Sequence, residues 1–306
     1  MSEFIHPQEA VRKYDLETDP YSQPNEFERA LAQEGIAVIE MPLSANDFQR
    51  LSDGFGVCID EYPDLLRMTN QQVDSRYGSE AGYVRKEKKI NERTGVQTSD
   101  PKNYFHFNEG VRDHWRSLFA KGPKVLKDFL EDGYEIHDTL LGVARLKINE
   151  LENTHPNISK LYFPNDDSFS FLRLLRYDGY EPHSKLAEVA KPHYDIGGVT
   201  IQAYADAPGF WAAKDGVTGA RRLYDTKPHQ AYTFLGKGHE KVFGPDDMFR
   251  PLWHGVDRVI PAGMTWVPER TAVILFVDAP EVDYHIRQEE TLPQLHRQLA
   301  AAAIGS

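Results

Sequence analysis

Between residues 168 and 280 the sequence alternates short runs of β-branched and aromatic residues with turn-forming glycine, proline and aspartate. Such runs are typical of β-strands, and several short strands in succession favour a β-sandwich or a jelly-roll barrel. The predicted strands cover residues 169–177, 198–204, 231–235, 264–267 and 272–277.

Residues 1–160 have a mainly helical pattern instead. Apolar residues at helical spacing predict a long helix from Val111 to Leu130, which Gly122-Pro123 kinks or splits, and a second helix over residues 135–153. Residues 68–104 are polar and glycine-containing, and we expect them to be irregular.

A short helix ending at Gly35, a strand over residues 36–40 and a helix capped by Ser44 are predicted near the start of the chain. The helical pattern of the first half and the strand-like pattern of the second half together predict a mixed α and β protein. We expect helices over residues 1–160 to pack on a β core formed by residues 161–285. A C-terminal helix over residues 286–306 is expected to complete one structural domain.

The charge balance restricts the class of partner. The 306 residues carry a net charge of −12, with 47 acids against 35 bases, which argues against binding to a nucleic-acid backbone. The sequence contains no run of about 20 apolar residues, so no membrane partner is expected. A single cysteine, Cys58, excludes an intramolecular disulfide and a multi-cysteine zinc site, and a cytoplasmic location is expected.

The 12 histidines are therefore the plentiful candidates for metal ligation. His193 and Asp195 lead into the strand-like run 198–202, and residues two apart in a strand point to one face. His254 lies between a turn-rich segment and another strand-like run. Two imidazoles and one carboxylate form the facial triad of non-haem Fe(II) oxygenases, although each histidine alone is also compatible with a surface position.

Arg270 begins an otherwise apolar run that ends at Phe276. A buried guanidinium needs a partner, because an unpaired buried charge is costly. The residue is therefore either in a salt bridge with an internal acid or an anchor for the carboxylate of a metal-bound co-substrate.

The sequence resembles the 2-oxoglutarate/Fe(II)-dependent oxygenases, in particular the branch that includes isopenicillin N synthase and deacetoxycephalosporin C synthase. The resemblance follows one unbroken order over most of residues 25–280. It is carried by segments 35–39, 100–107, 172–177, 192–201, 209–216, 254–259 and 270–276.

The resemblance implies a double-stranded β-helix, also called a jelly-roll or cupin-like core, with N-terminal and flanking helices. It implies that His193, Asp195 and His254 bind Fe(II), and that Arg270 and Tyr177 contact 2-oxoglutarate. The expected oxidoreductase oxidises a small metabolite, for example of secondary metabolism, with O₂. It is expected to convert 2-oxoglutarate to succinate and CO₂ in the same reaction.

One position departs from the family pattern. The serine expected two residues after the arginine is Ala272, which removes a hydroxyl from the predicted co-substrate site. Three alternatives stay open: an oxidase of the same fold that uses no 2-oxoglutarate, a non-catalytic jelly-roll that binds a ligand or a protein, and a zinc hydrolase.

Position in the family pattern offers four substrate-pocket candidates. Tyr83 and Arg85 are candidates to contact a polar or carboxylate-bearing substrate, or they lie on a solvated loop. His106 either faces the pocket or packs among aromatic residues, and Arg173 either lines the cavity or forms a structural ion pair. His239 is expected on a surface loop. The partner is expected to be a small molecule, and the protein a monomer or a homodimer.

Overall fold

The computed structural model contains helices on one side of a large β-sheet and a smaller sheet on the other. It describes residues 24–71, 81–87, 89–90, 97–99, 101–164, 169–179, 188–224, 227–257 and 269–279. The predicted strand at 264–267 and the predicted helix at 286–306 lie outside these residues.

The helices lie mostly in the first half of the chain, as the apolar spacing predicts. They are α1 (Pro24–Glu34), α2 (Ala45–Glu61), α3 (Pro63–Arg67), α4 (Arg112–Leu118), α5 (Lys124–Glu150), α6 (Ile158–Tyr162) and α7 (Lys237–Phe243), with 3-10 turns at Glu109–Val111, Leu151–Asn153 and Gly216–Thr218. At the start of α2, the Asp47 carboxylate accepts hydrogen bonds from the amide and the hydroxyl of Ser44, which fixes this end of the helix.

The strands are short and concentrated in the second half. They are β1 (Ile36–Glu40), β2 (Gly82–Lys86), β3 (Lys89–Ile90), β4 (Gln97–Ser99), β5 (Lys102–Asn108), β6 (Phe169–Tyr177), β7 (Glu188–His193), β8 (Val199–Ala205), β9 (Phe210–Ala213), β10 (Arg222–Leu223), β11 (Gln230–Leu235), β12 (Trp253–Asp257) and β13 (Arg270–Asp278).

Two antiparallel sheets form the β core. One has the order β1-β11-β8-β13-β6-β5-β2, and the other has the order β10-β9-β12-β7, while β3 and β4 form a separate pair. Strand β13 lies at the centre of the large sheet, where one face meets helices and the other meets the small sheet. This position accounts for its almost uninterrupted apolar sequence. The predicted jelly-roll fold is confirmed.

Two apolar layers hold these elements together. The first lies between the helices and the large sheet, where the Phe129 ring of α5 lies 5.5 Å from Phe55 of α2 and 5.0 Å from Phe105 of β5. The second lies between the two sheets and includes Phe210 and Phe234. The metal-ligand candidates border the second layer, so the site faces the interior of the barrel.

Two sequence predictions about local structure are wrong. The chain does break at Gly122-Pro123, but from there α5 runs without interruption through the predicted gap before residue 135. Gly133 lies in this stretch of α5. The position requires glycine, because a Cβ there would come within 2.0 Å of the Phe107 ring. The predicted irregular segment contains β2, β3, β4 and the start of β5. In β2 the exposed residues Arg85 and Lys86 obscured the strand pattern.

No helix among the described residues combines the length and the apolar character needed to cross a membrane.

Candidate metal centre

Two strands of the small sheet bring the three predicted ligands together. His193 is the last residue of β7, Asp195 follows two residues later, and His254 of β12 is paired directly with His193. The two imidazole centroids are 4.5 Å apart. The pairing therefore joins two segments about sixty residues apart in the sequence at one end of the small sheet.

The ligand atoms converge on one oxygen. Nε2 of His193 lies 3.4 Å from Oδ1 of Asp195, and Nε2 of His254 lies 3.7 Å from the same atom. The other ring nitrogens lie near backbone carbonyls, with His193 Nδ1 at 2.8 Å from Lys191 O and His254 Nδ1 at 3.0 Å from Leu252 O. Because a carbonyl only accepts, each Nδ1 carries a proton, and in the neutral form of each ring Nε2 has the lone pair that a metal would take.

The carboxylate of Asp195 is held from its far side. The Thr200 hydroxyl donates a 2.6 Å hydrogen bond to Oδ2, so Oδ1 alone faces the two imidazoles. This arrangement would orient Asp195 to bind a metal through one oxygen, and contacts of this kind commonly position metal ligands. Sequence reasoning overlooked Thr200, which lies five residues beyond Asp195 on β8.

The electrostatics favour the metal-binding protonation states of two of the three groups. Burial lowers the pKa of His254 to about 4, although the charge of Asp195 acts in the opposite direction. Burial opposes ionisation of Asp195, but the two histidines and the Thr200 hydrogen bond outweigh it and hold the pKa of this carboxyl well below its usual range. For His193, burial is outweighed by the hydrogen bond and charge of Asp195, which raise its pKa.

Aromatic rings fix the deeper imidazole. The His254 ring lies 4.8 Å from the Phe234 ring and 5.7 Å from the Phe210 ring. The His254 side chain is 8% exposed, whereas that of His193 is 49% exposed. The centre therefore has one rigid, buried imidazole and one imidazole at the opening to solvent.

Arg270 lies at the start of β13, opposite Tyr177 of β6. Its Nε donates a 3.2 Å hydrogen bond to the carbonyl of Ala207, and its buried Nη2 has no hydrogen-bond partner among the described residues. Burial lowers the pKa of the guanidinium, and Tyr177 and Asp206 act in the opposite direction. The free Nη2 supports the role of carboxylate anchor over that of a fully satisfied internal salt bridge.

Ala272 is 1% exposed and belongs to the apolar layer that also contains Tyr177. It is two residues beyond Arg270, so both side chains project from the same face of β13. The methyl group therefore lies where the family pattern expects a hydroxyl.

His106 and Arg173, two of the substrate-pocket candidates, occupy neighbouring strands of the same inner face. They are paired in register, and Arg173 Nε donates a 2.7 Å hydrogen bond to His106 Nε2. Burial lowers the pKa of Arg173, and the charge of Asp195 acts in the opposite direction. The guanidinium of Arg173 is therefore within electrostatic reach of Asp195.

The structure does not bring Tyr83 and Arg85 to the centre. Tyr83 packs edge-on against Phe55 in the helix-facing layer, and its hydroxyl donates a 2.7 Å hydrogen bond to Asn103. Arg85 forms a bidentate pair with Asp178, at 2.7 and 2.6 Å. Both residues alternate along β2 with Val84, which is the one that packs into the layer between the sheets.

A second group of histidines and an acid lies away from this centre. His155, His239 and Asp247 bring candidate ligand atoms close together, but Nε2 of His155 is hydrogen-bonded to Oδ2 of Asp247. His239 is fully buried on α7, so the surface position expected from the sequence is wrong. Burial against Phe243 and Phe249 makes this cluster part of the packing around α7.

Comparison with known proteins identifies solved structures that share the fold of this chain. No family model matches the sequence, and no curated protein matches it. A Caulobacter crescentus protein described as a 2OG-Fe(II) oxygenase family member is 17% identical, with a TM-score of 0.64 over 98% of this chain and 100% of that one. The fold is that of the 2-oxoglutarate/Fe(II) oxygenases.

Two further solved structures share this fold. A Neurospora crassa protein, solved in complex with alpha-KG and thymine, is 12% identical, with a TM-score of 0.65 over 87% of this chain and 85% of that one. Arabidopsis thaliana dioxygenase for auxin oxidation 1, solved with 2-oxoglutarate, is 16% identical, with a TM-score of 0.58 over 88% of this chain and 93% of that one. The narrower resemblance to isopenicillin N synthase stays a prediction.

Proposed function

We propose that the protein is an Fe(II)- and 2-oxoglutarate-dependent oxygenase that oxidises a small molecule with O₂. The observation that carries the proposal is the convergence of the Nε2 atoms of His193 and His254 on Oδ1 of Asp195. The two Nδ1 atoms and Oδ2 of Asp195 are already hydrogen-bonded elsewhere. A donor set of two imidazoles and one carboxylate matches Fe(II) oxygenase centres and leaves coordination positions for other molecules.

The residues fit the metal and the co-substrate. His193, Asp195 and His254 would hold Fe(II), which when bound activates O₂ for oxidation of a substrate carbon while 2-oxoglutarate is converted to succinate and CO₂. The unpaired Nη2 of Arg270 would receive the distal carboxylate of the co-substrate, and Tyr177 lies opposite on the neighbouring strand. The apolar layer between the sheets would exclude water from this part of the barrel.

One observation favours a second candidate. Ala272 offers no hydroxyl beside Arg270, so an oxidase of the same fold could use this arginine to hold its substrate rather than 2-oxoglutarate. Oxygen-dependent release of succinate from 2-oxoglutarate separates the two candidates. Substrate oxidation without 2-oxoglutarate would favour the second.

The first experiment is anaerobic and needs no substrate. Purified protein with Fe(II) and 2-oxoglutarate should show a visible charge-transfer band, and His193→Ala should lose it. His114, an exposed residue of α4, gives the matched control: His114→Ala should retain the band. If the wild-type protein shows no band, or if His193→Ala retains it, the proposed function is wrong. Binding of ligands without any oxygen-dependent turnover would indicate a non-catalytic jelly-roll.

A further inference from the structure

The inner face of the large sheet presents its side chains in rows. Residues paired across β5, β6 and β13 share a row, and successive rows lie two residues apart along each strand. The rows are Lys102–Tyr177–Arg270, Tyr104–Leu175–Ala272 and His106–Arg173–Ile274. Two rows with cationic side chains therefore flank an apolar row.

The two cationic rows are separate positions. Arg270 and Ile274 are four residues apart on β13, which is about 13 Å along an extended strand. His254 packs against Phe210 and Phe234, and these rings belong to the same layer between the sheets as the apolar row. The metal-ligand group therefore faces this side of the large sheet.

Arg173 lies among aromatic rings without an acidic partner. Its Cζ is 4.8 Å from the Phe276 ring centroid and 5.4 Å from the Phe171 centroid, and these two rings stack at 4.9 Å. No acid among the described residues forms an ion pair with it. Arg176, three residues later on the opposite face, shows the contrast, because its guanidinium binds Glu269 at 2.6 and 2.9 Å.

The neighbours of Arg173 do not neutralise its charge. Its Nε donates to Nε2 of His106, which must be unprotonated to accept and so adds no negative charge. Asp195 has Oδ2 bonded to Thr200 and Oδ1 directed at the two imidazoles. The guanidinium is left to pair with an anion that enters the barrel.

We propose that Arg173, with His106 behind it, binds the carboxylate of the substrate, and that Phe171 and Phe276 contact the adjoining apolar part. The substrate class is a small carboxylic acid with an apolar or aromatic body. This inference rests on the proposed oxygenase function, since it assigns the substrate of the same centre. Arg270 serves the co-substrate in the first cationic row, and Arg173 serves the substrate in the second.

The test uses phenylacetate as a probe and phenylacetamide as its uncharged counterpart. Each is titrated anaerobically into the protein loaded with Fe(II) and 2-oxoglutarate, and binding is followed by perturbation of the charge-transfer band and by thermal shift. Phenylacetate should bind at least about tenfold more tightly than the amide, because a charge-assisted pair with arginine is lost in the amide. Arg173→Gln should lose this preference while still forming the band with 2-oxoglutarate. Arg176→Gln is the matched control on the same strand and should keep both properties.

The outcomes separate the two proposals. If the wild-type protein forms no band, the oxygenase function itself fails. If the band forms but the acid and the amide bind equally or not at all, the substrate assignment is overturned. Loss of the band in Arg173→Gln would also overturn it, because Arg173 would then position Asp195 rather than bind substrate. Circular dichroism and the thermal midpoint of Arg173→Gln would show whether the variant is folded.

Discussion

Thr200 donates its hydroxyl to Oδ2 of Asp195 at 2.6 Å, which leaves Oδ1 as the oxygen that faces His193 and His254. The Thr200 side chain is buried on β8, so no solvent can replace this hydrogen bond at low cost. The contact couples a strand of the large sheet to a candidate metal ligand at the end of the small sheet.

Thr200→Val should therefore weaken Fe(II) binding by about ten- to a hundredfold, since the carboxylate loses the group that orients it. Anaerobic titration with Fe(II) measures the change. Thr233→Val is a close control, because Thr233 is also buried, on the adjacent strand β11, and its hydroxyl has no hydrogen-bond partner among the described residues. Thr200→Ser should restore most of the affinity, and an unchanged affinity in Thr200→Val would contradict this role.

The second prediction concerns Arg270, whose Nη2 is buried and has no hydrogen-bond partner among the described residues. Arg270→Leu should raise the stability of the metal- and ligand-free protein by about 1 kcal/mol or more, because an uncompensated buried charge is removed. It should also weaken binding of 2-oxoglutarate by about a hundredfold, because a buried, charge-assisted pair is lost.

Thermal unfolding with and without 2-oxoglutarate tests both effects. A ligand at a hundred times its dissociation constant stabilises the native state by about 2.7 kcal/mol, so wild-type protein should show a clear shift. At the same concentration Arg270→Leu should gain only about 0.4 kcal/mol. Arg222→Gln, which removes a partly exposed arginine paired with Glu34, should shift as the wild type does. Equal shifts in wild type and Arg270→Leu would show that 2-oxoglutarate does not bind this arginine.

The sequence predicts the convergence of His193, Asp195 and His254, but not the surroundings of the substrate-pocket candidates, for a reason of geometry. His193 and Asp195 are two residues apart at a strand end, so their shared face follows from local structure alone. The side toward which Arg85 points depends on the register of β2 against β5, which no local pattern in the charged segment specifies. The same holds for Arg173 and Arg176. They are an odd number of residues apart and so lie on opposite faces of β6.

Contacts between distant segments were the hardest to predict. His155 and His239 are far apart in the sequence, and their rings meet at 5.6 Å only because the chain segments after α5 and in α7 pack together. Nothing in the residues around His239 marks it as buried, because glycine, lysine and glutamate precede and follow it. Tertiary packing therefore overrides a locally polar pattern.

The burial of His239 leads to a prediction about pH. Burial, together with the nearby charge of His155, lowers the pKa of His239 to about 4, although Asp247 acts in the opposite direction. Tyr162 also faces this ring, with its hydroxyl 3.4 Å from Nδ1. In the unfolded chain the histidine pKa is about 6.5, so the unfolded state binds more protons between the two values. The contribution of His239 to the free energy of unfolding is fully present above about pH 6.5 and is lost as the pH falls toward 4.

Chemical unfolding of wild type and His239→Gln across this pH range tests the sign. The wild-type protein should lose of the order of 2 kcal/mol more than the variant on going from pH 7 to pH 4. The variant itself should be less stable at pH 7, because its side chain fills the space beside Phe243 and Phe249 less well. The exposed His114→Gln should follow the wild-type curve, and parallel curves for wild type and His239→Gln would refute the prediction.

Ala272 allows a direct test of the co-substrate site. Its methyl group is buried two residues from Arg270 on the same face of β13, so Ala272→Ser places a hydroxyl where the family pattern has one. Without a ligand, the added hydroxyl should lower stability by about 1–3 kcal/mol, the cost of burying an unsatisfied polar group. With 2-oxoglutarate, a hydrogen bond to a charged carboxylate is expected to tighten binding by about tenfold.

Titration of the anaerobic charge-transfer band gives the affinity of Ala272→Ser for 2-oxoglutarate. Ala203→Ser, at a buried residue of β8 in the helix-facing layer, controls for burial of a hydroxyl elsewhere in the sheet. If Ala272→Ser lowers stability but leaves 2-oxoglutarate binding unchanged, the carboxylate does not reach this position. The oxidase that uses Arg270 to hold its substrate then becomes the better account of the site.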